Sequence, residues 1–460
     1  RLLEATLGLL EAKVSPSVHR WAVEALMFLS VMPDMKAHLA ASGARFGSLI
    51  SLAESVGKDS SFHFALVSAL RRLCVPREKS DEQQKLEQEM DKEQIEQMRQ
   101  LAAGGAGVTA APQEREDDPE VLKTLAAQLV DDDAVMALSE VVAHAAAAEA
   151  AEGSVALRRQ AAQVLLAMAA HAEGRGKLVA QGGFRALISL VLSDDDETWG
   201  AAAWALARVG ISINPLLYPR KIGSGPESMV KPLLKLIDQA TNELQMFEAS
   251  MALCNLATDA DLGARIVSAG GWRTLQMALT SDNELVQRAA LEAMSNLVTQ
   301  EPIIERFAAA GSNDVKIFVG FSGCDDLKSK IATTGALATL ADISEVGAAI
   351  IGANGVEPLI DAALLGEDSG LIHRAAVALQ KLLTYSTDLM VGAKGSAPPD
   401  HALSALGALV ALSRGSVEPA KKAAITAIVH LQKKRPDVAL PPPDAVAIIV
   451  AKIKEDEERR

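Results

Sequence analysis

The chain has 460 residues, of which 49% are hydrophobic and only 3% are aromatic. It is too long for one compact core and too apolar for a disordered protein. Its formal net charge of −14 argues against a nucleic-acid backbone or an anionic membrane surface as the main partner, and we expect neither.

Alanine, leucine and valine supply most of the apolar residues. Alanine and leucine are strong helix formers, whereas a β-rich protein would need more β-branched and aromatic residues. Three widely separated cysteines, Cys74, Cys254 and Cys324, form neither a disulfide framework nor a zinc pattern, which suits a cytoplasmic location. The first residues already read as a helix and lack a methionine, so we interpret the sequence as a piece of a longer protein.

One helical phrase recurs along the chain: a small residue, a leucine, two variable residues and an apolar residue. Its central apolar residues are Leu26, Leu70, Leu165, Leu206, Leu253, Met294, Leu337, Leu379 and Ile428. They lie 41 to 49 residues apart, except for a gap of 95 that contains either a degenerate repeat or an insertion. A period of about 42 residues with two or three helices is typical of armadillo and HEAT repeats.

Shorter apolar segments stand between these phrases. A glycine turn begins three of them, at 182–183, 270–271 and 354–355. An Asp-rich turn, suited to capping the next long helix, follows at 193–197, 281–284 and 366–369. This triplet favours armadillo over HEAT, and the alanine excess allows close helix packing. We predict an all-α, armadillo-repeat α-solenoid, a right-handed superhelix of about nine to ten repeats.

Two stretches depart from the repeat. Residues 76–119 are charged and glutamine-rich, then contain GGAG and Asp-Asp-Pro, and we interpret them as a partly disordered junction between solenoid segments. Residues 441–460 consist of a proline stop, a short apolar helix and a charged tail, which predicts a C-terminal helix at the end of the solenoid.

A search for catalytic motifs finds little. The chain has no GxxxxGK[ST] phosphate loop, no HExxH zinc motif and no GxSxG nucleophile elbow. Its eight histidines are scattered without metal-ligand spacing. Cys254 and Cys324 fall at apolar repeat positions, so we interpret both as small core residues. We therefore predict a protein that is not an enzyme and uses no cofactor or metal.

The third helix of an armadillo repeat lines the concave groove. We take the residue two positions after each central residue, together with the residues four and eight positions before that one. These side chains lie on one stripe of the helix surface. We predict that the client-binding groove contains Trp204, Arg208, Phe247, Met251, Asn255, Arg288, Glu292, Asn296 and Thr339. Asn255 and Asn296 are the strongest candidates in this stripe, because a side-chain amide can form hydrogen bonds with the backbone of an extended segment. Alternatively, Phe247 and Met251 belong to the packing between repeats.

Five stretches of the sequence resemble the UCS-domain myosin chaperones, the uncoordinated-45 type. They are residues 14–30, 179–192, 213–220, 246–259 and 307–343, and the last two are specific to that family. The resemblance implies a chaperone that binds the myosin heavy-chain motor domain and assists its folding and stability. It also implies heat-shock protein 90 as a partner, through an N-terminal tetratricopeptide-repeat domain that is absent from this sequence.

The same resemblance assigns residues 1–118 to the end of a central armadillo region plus a neck. It assigns residues 119–460 to the UCS armadillo domain with a C-terminal helical tail. An alternative function is an armadillo adaptor that binds an extended peptide of a non-myosin partner. A carrier of the importin type would show a regular Trp/Asn pair on successive third helices, and this chain does not. Self-association and the class of myosin stay open.

Overall fold

The computed structural model describes residues 1–12, 14–43, 46–47, 60–77, 117–147, 153–218 and 225–459. Throughout these ranges the regular structure is helical, with no strand. The chain divides into two compact units, Arg1–Gly225 and Pro226–Arg460. Within the same ranges, no helix has both the length and the apolar character needed to cross a bilayer.

In the described residues, the α-helices of the first unit have six to 17 residues. Its α-helices are α1 (Leu2–Glu11), α2 (Pro16–Leu29), α3 (Pro33–Ser42), α4 (Ser60–Cys74), α5 (Pro119–Asp131), α6 (Ala134–Ala147), α7 (Ser154–Ala170), α8 (Arg175–Ala180), α9 (Gly183–Leu190) and α10 (Asp196–Ser212). The long helices α2, α4, α7 and α10 carry the recurring phrase, and each packs against the next in that series. They are the third helices of successive repeats.

The contact between α4 and α7 resolves the gap of 95 residues. Ser68 Oγ on α4 donates a 2.8 Å hydrogen bond to Gln160 Oε1 on α7, so the two third helices are direct neighbours. The gap therefore contains an insertion and no additional third helix in this stack. Most of the junction expected over 76–119, from 78 to 116, lies outside the described residues.

The second unit follows the same plan. Its α-helices are α11 (Val230–Asp238), α12 (Glu243–Leu256), α13 (Ala260–Ser268), α14 (Gly271–Ala278), α15 (Glu284–Leu297), α16 (Glu301–Ala308), α17 (Asn313–Ser322), α18 (Leu327–Leu340), α19 (Ser344–Gly352), α20 (Val356–Leu364), α21 (Ser369–Tyr385), α22 (Thr387–Val391), α23 (His401–Ser413), α24 (Glu418–Lys434) and α25 (Pro443–Arg459). The third helices α12, α15, α18, α21 and α24 pack in sequence.

The turn and cap residues expected from the sequence are confirmed. Gly182 and Gly270 have φ of 89° and 86°, the left-handed region that favours glycine, and each precedes a middle helix. Asp195 and Asp368 accept backbone hydrogen bonds at the N-termini of α10 and α21. The glycines allow the sharp turn before a middle helix. The aspartates satisfy free N–H groups at the start of the following third helix.

The predicted phase of the third helices is also confirmed. Eight of the nine central residues are completely buried, and the exception is Ile428 on α24, which is half-buried. Helix α24 is the last in its series, and α25 packs on α23 instead. Consequently Ile425 and Val429 on α24 stay 44% and 59% exposed, whereas the preceding repeats bury the position that corresponds to Ile425.

Candidate functional site

In each unit, the candidate groove residues lie on one face of the long helices, which we call the third-helix face of that unit. Trp204 and Arg208 lie on α10 of the first unit, whereas the other seven lie on α12, α15 and α18 of the second. Eight of the nine are half-buried, and Thr339 is exposed. This partial burial fits neither a core stripe nor a freely solvated one. A role in client binding stays a prediction.

A cleft of about 490 Å³ opens on the third-helix face of the second unit. Three of the candidate residues, Glu292, Asn296 and Thr339, line it. Cys254, Lys328 and Arg374 are further lining residues that the sequence reasoning did not assign to a binding surface. We call this space the Asn296 cleft. It has room for a side chain or a short extended segment.

A repeated hydrogen bond ties the third helices together at the floor of this face. The residue two positions after the central residue donates to a backbone carbonyl of the preceding third helix. Asn296 Nδ2 donates to Cys254 O at 3.1 Å, Arg208 Nη1 to Leu166 O at 3.3 Å, Arg72 Nη1 to Met27 O at 2.8 Å and Lys381 Nζ to Thr339 O at 3.0 Å. We call these bonds the carbonyl rungs. They give part of the stripe a structural role as well as any binding role.

A second repeated contact joins the N-termini of third helices. Arg159 on α7 forms two hydrogen bonds with Asp195, the N-cap of α10, at 2.5 and 3.2 Å. Arg288 on α15 likewise binds both oxygens of Asp326, the N-cap of α18. These arginines lie six positions before the central residue of their helices. Each pair of charge-assisted bonds fixes a cap and a neighbouring helix together.

Both capping carboxyls have a lowered pKa. The hydrogen bond from Arg159 lowers the pKa of Asp195 to about 2, against the opposing effect of burial. Burial alone would raise the pKa of Asp326, but hydrogen bonds from Arg288 and Ser329 outweigh it and lower that pKa to about 2. The two aspartates are therefore ionised at neutral pH, and Arg288 is already engaged in an ion pair within the protein.

The chemistry inside the Asn296 cleft favours recognition over reaction. Burial raises the pKa of Glu292, while Lys328 and Arg288 oppose that rise. Burial also raises the pKa of the Cys254 thiol to about 12, so it is protonated and a poor nucleophile at neutral pH. The cleft thus presents one carboxylate, one amide and two cationic side chains around a neutral thiol.

Cys254 and Cys324 differ from the sequence-based expectation. Both were interpreted as core residues, but each is half-buried, and Cys254 lines the cleft. The three cysteines are free thiols. Across the ranges that the structure describes, no group of three or more His, Cys, Asp or Glu side chains could hold a metal ion.

Trp204 and Arg208 form a stacked pair on the first unit. The Arg208 guanidinium lies 4.6 Å from the centre of the Trp204 ring. The same guanidinium makes a carbonyl rung to Leu166, so the indole and a backbone oxygen hold it from two sides. The sequence placed both residues on one stripe but did not predict the rung.

The stretch 307–343, which resembles the UCS-domain family, contains a buried polar cluster. Asp314 Oδ1 accepts a 3.2 Å hydrogen bond from Trp272 Nε1 and a bond from Gln276, while Oδ2 accepts a 3.1 Å bond from Arg306 Nε. Trp272 also stacks nearly parallel with Phe318, with ring centres 6.1 Å apart. Part of this family-like motif therefore fixes how α14, α16 and α17 pack together.

Comparison with known proteins agrees with this architecture. No protein-family model matches the chain. It is 28% identical to protein unc-45 homolog B of Homo sapiens over 330 residues, 71% of this chain and 33% of the human protein. UNC-45 from Drosophila melanogaster gives a TM-score of 0.74 at 24% identity, over 94% of this chain and 52% of that one. The C. elegans myosin chaperone UNC-45, solved with a Hsp90 peptide, gives a TM-score of 0.72 at 20% identity, over 91% and 43%.

These matches settle ancestry and fold. The chain is homologous to UNC-45 homolog B, as the resemblance in its motifs predicted. Its architecture is that of the UNC-45 structures, which confirms the predicted armadillo-type α-solenoid. The chain spans about a third of the length of the human relative.

Proposed function

We propose that this chain is the client-binding part of a chaperone for myosin motor domains. The observation that carries the proposal is the homology to protein unc-45 homolog B over 330 residues. The C. elegans protein of the same fold is described as a myosin chaperone, which supports myosin as the client here. Its complex with a Hsp90 peptide supports heat-shock protein 90 as a partner of the whole protein.

The client surface in this proposal is the third-helix face of the second unit. The Asn296 cleft supplies hydrogen-bonding groups, and the half-buried Phe247 and Met251 on α12 add apolar area to that face. Such mixed surfaces suit a chain segment whose polar backbone and apolar side chains must both be covered. We also retain the division at 118/119 and the cytoplasmic location as parts of the proposal.

The surface proposal suggests a matched pair of variants. Thr339 and Thr426 are both exposed threonines on third helices, and each hydroxyl bonds the carbonyl four residues earlier, at 2.9 and 2.8 Å. Of the two, Thr339 lines the cleft. Thr339→Arg should obstruct the cleft, whereas Thr426→Arg adds the same side chain elsewhere.

The experiment measures two quantities for the wild type and both variants. One is the affinity for a myosin motor domain, and the other is suppression of that domain's aggregation on heating, without nucleotide. We expect Thr339→Arg to weaken binding at least tenfold, because a blocked central contact commonly costs ~2 kcal/mol or more. Thr426→Arg should match the wild type, and both variants should melt within a few degrees of it.

Three results would contradict the proposal. Equal protection of an unrelated thermolabile enzyme at the same molar ratio would remove client specificity. Unchanged myosin affinity in Thr339→Arg would show that the client does not bind at the Asn296 cleft. Capture of a non-myosin protein in extended form, with no affinity for the motor domain, would favour the adaptor alternative.

A further inference from the structure

A second cleft, of about 570 Å³, lies on the long helices of the first unit. Its walls come from α4, α7 and the first turn of α10, and polar side chains dominate its lining. They are Arg71, Arg159, Gln160, Gln163 and Glu197. We call this space the Gln163 cleft. No residue lines both this cleft and the Asn296 cleft. The inference drawn from it does not rest on the proposed function.

Hydrogen bonds orient the two glutamines of this cleft in the same way. Arg71 Nε donates to Gln163 Oε1 at 2.5 Å, and Ser68 Oγ donates to Gln160 Oε1 at 2.8 Å. An N–H of arginine can only donate, so the Gln163 oxygen must face Arg71. Each amide oxygen is thus turned toward α4. The Nε2 groups of both are left without a hydrogen-bond partner in the described part of the chain.

Charges of both signs surround the cleft, because Arg159 is already paired with Asp195 and Glu197. Arg71 and Arg159 line it, and Arg71 and Arg77 both lie close enough to Arg72 to repel its charge. Burial, followed by that repulsion, lowers the pKa of Arg72. One carboxylate lines the cleft, that of Glu197, and it lies 3.3 Å from an Arg159 nitrogen.

We propose that the Gln163 cleft is a binding site for carboxylate groups of an extended segment of another protein. Two amide N–H₂ groups, three residues apart on α7, are both turned away from α4, and the Arg71 guanidinium lies beside them in the lining of the cleft. Carboxylates accept from several donors at once, and bonds to charged acceptors are stronger than neutral ones. Acidic side chains and a C-terminal carboxylate share this chemistry, so the experiment separates these two sources.

The test uses a double variant, Gln160→Glu with Gln163→Glu. Each new carboxylate keeps the oxygen that accepts from Ser68 or Arg71, so the contacts between α4 and α7 are preserved. The same change replaces both outward N–H₂ donors with acceptors. Thermal melting close to that of the wild type checks that the fold is unchanged.

Three peptides with an uncharged fluorophore serve as probes. The first has four glutamates and an amidated C-terminus, the second has four glutamines and a free C-terminus, and the third has four glutamines and an amidated C-terminus. We expect the 460-residue chain to bind the first or the second more tightly than the third. The double variant should lose at least tenfold in affinity for that peptide. Preference for the first identifies acidic side chains as the ligand, and preference for the second a chain terminus.

A further variant tests whether the negative charge of the cleft opposes binding of a carboxylate. Glu197→Gln removes the carboxylate from the cleft and should raise the affinity for the preferred peptide about threefold or more. Thr426→Arg, which lies on α24 of the other unit and lines neither cleft, should leave it unchanged. Equal binding of all three peptides, equal affinity of the wild type and the double variant, or no response to Glu197→Gln would overturn the proposal.

Discussion

The side-chain amide of Asn296 donates a 3.1 Å hydrogen bond to the backbone carbonyl oxygen of Cys254 on the preceding third helix. The amide nitrogen also lies 3.4 Å from the Cys254 sulfur. One of the two asparagines that the sequence singled out for the predicted groove therefore also joins two third helices. A variant at this position therefore changes stability, so the proposed effect on binding has to be measured beside it.

Asn296→Asp should destabilise the protein. The substitution removes the donor of the rung and places a carboxylate oxygen against a carbonyl oxygen, so we expect a loss of about 1–3 kcal/mol in the free energy of unfolding. Urea unfolding monitored by circular dichroism measures it. Thr339→Ala is the control. It removes only an exposed hydroxyl bond within α18 and should change the free energy of unfolding by less than about 0.5 kcal/mol. Equal midpoints for the wild type and Asn296→Asp would show that the rung contributes nothing.

The pair of Arg159 and Asp195 should produce a stability that depends on pH. The pKa of Asp195 is lowered in the folded state, so its contribution is complete above the ordinary pKa near 4 and is lost as pH falls toward 2. Asp195→Asn keeps an N-cap side chain but removes the charge. The wild type should exceed this variant by about 1 kcal/mol at pH 7, and the two should converge near pH 2.

Unfolding in urea at pH 7, 4 and 2.5 measures that difference. Asp196→Asn, next to the cap in the first turn of the same helix, controls for a general effect of charge. A difference that stays constant from pH 7 to 2.5 would contradict the assignment of the low pKa to Asp195.

Two glycines should respond in opposite ways to alanine. A Cβ at Gly271 would lie 2.7 Å from the carbonyl oxygen of Ile266, whereas a Cβ at Gly320 would meet nothing within 4 Å. Gly271→Ala should cost about 1–3 kcal/mol through overpacking. Gly320→Ala, in the exposed part of α17, should gain about 0.5–1 kcal/mol. Thermal melting of both variants tests the pair, and a stabilised Gly271→Ala would contradict the packing argument.

Removing the Asp314 carboxylate should loosen the contact between α14 and α17. Asp314→Ala leaves the buried Trp272 N–H without its acceptor, and we expect a loss of about 2–3 kcal/mol. Asp325→Ala, at an exposed position nearby, should be neutral within about 0.5 kcal/mol. Melting curves give the stability, and a red shift in tryptophan emission would report water reaching Trp272. No change in either signal would show that the cluster is dispensable.

Sequence periodicity predicted the helices well because burial follows the helical repeat. Leu253, Met294 and Leu337 were aligned by pattern alone, and all three are fully buried. Ile428 has the same phase but is more exposed, because no further third helix covers α24. A pattern within one repeat carries no information about whether a neighbour follows it.

Sequence periodicity did not predict the carbonyl rungs, because they depend on contacts between helices that are distant in the sequence. Each rung joins side chain and backbone 42 to 45 residues apart, and its existence depends on the rotation of two helices and the reach of one side chain. A signal was nevertheless present, since Arg72, Arg208, Asn296 and Lys381 occupy equivalent positions and are all hydrogen-bond donors. Reading donors by repeat position, as well as apolar residues, would have predicted the rungs.

The carbonyl rungs also determine how the solenoid responds to force. Each rung links a long helix to its immediate neighbour, so a pull on the two ends of a unit places these bonds and the other contacts between repeats under the same tension. The weakest connection then breaks first and releases a single repeat before the next one yields. Extending about 42 residues adds roughly 14–15 nm of contour length. An optical trap should therefore record a sawtooth of that step size instead of one large rupture.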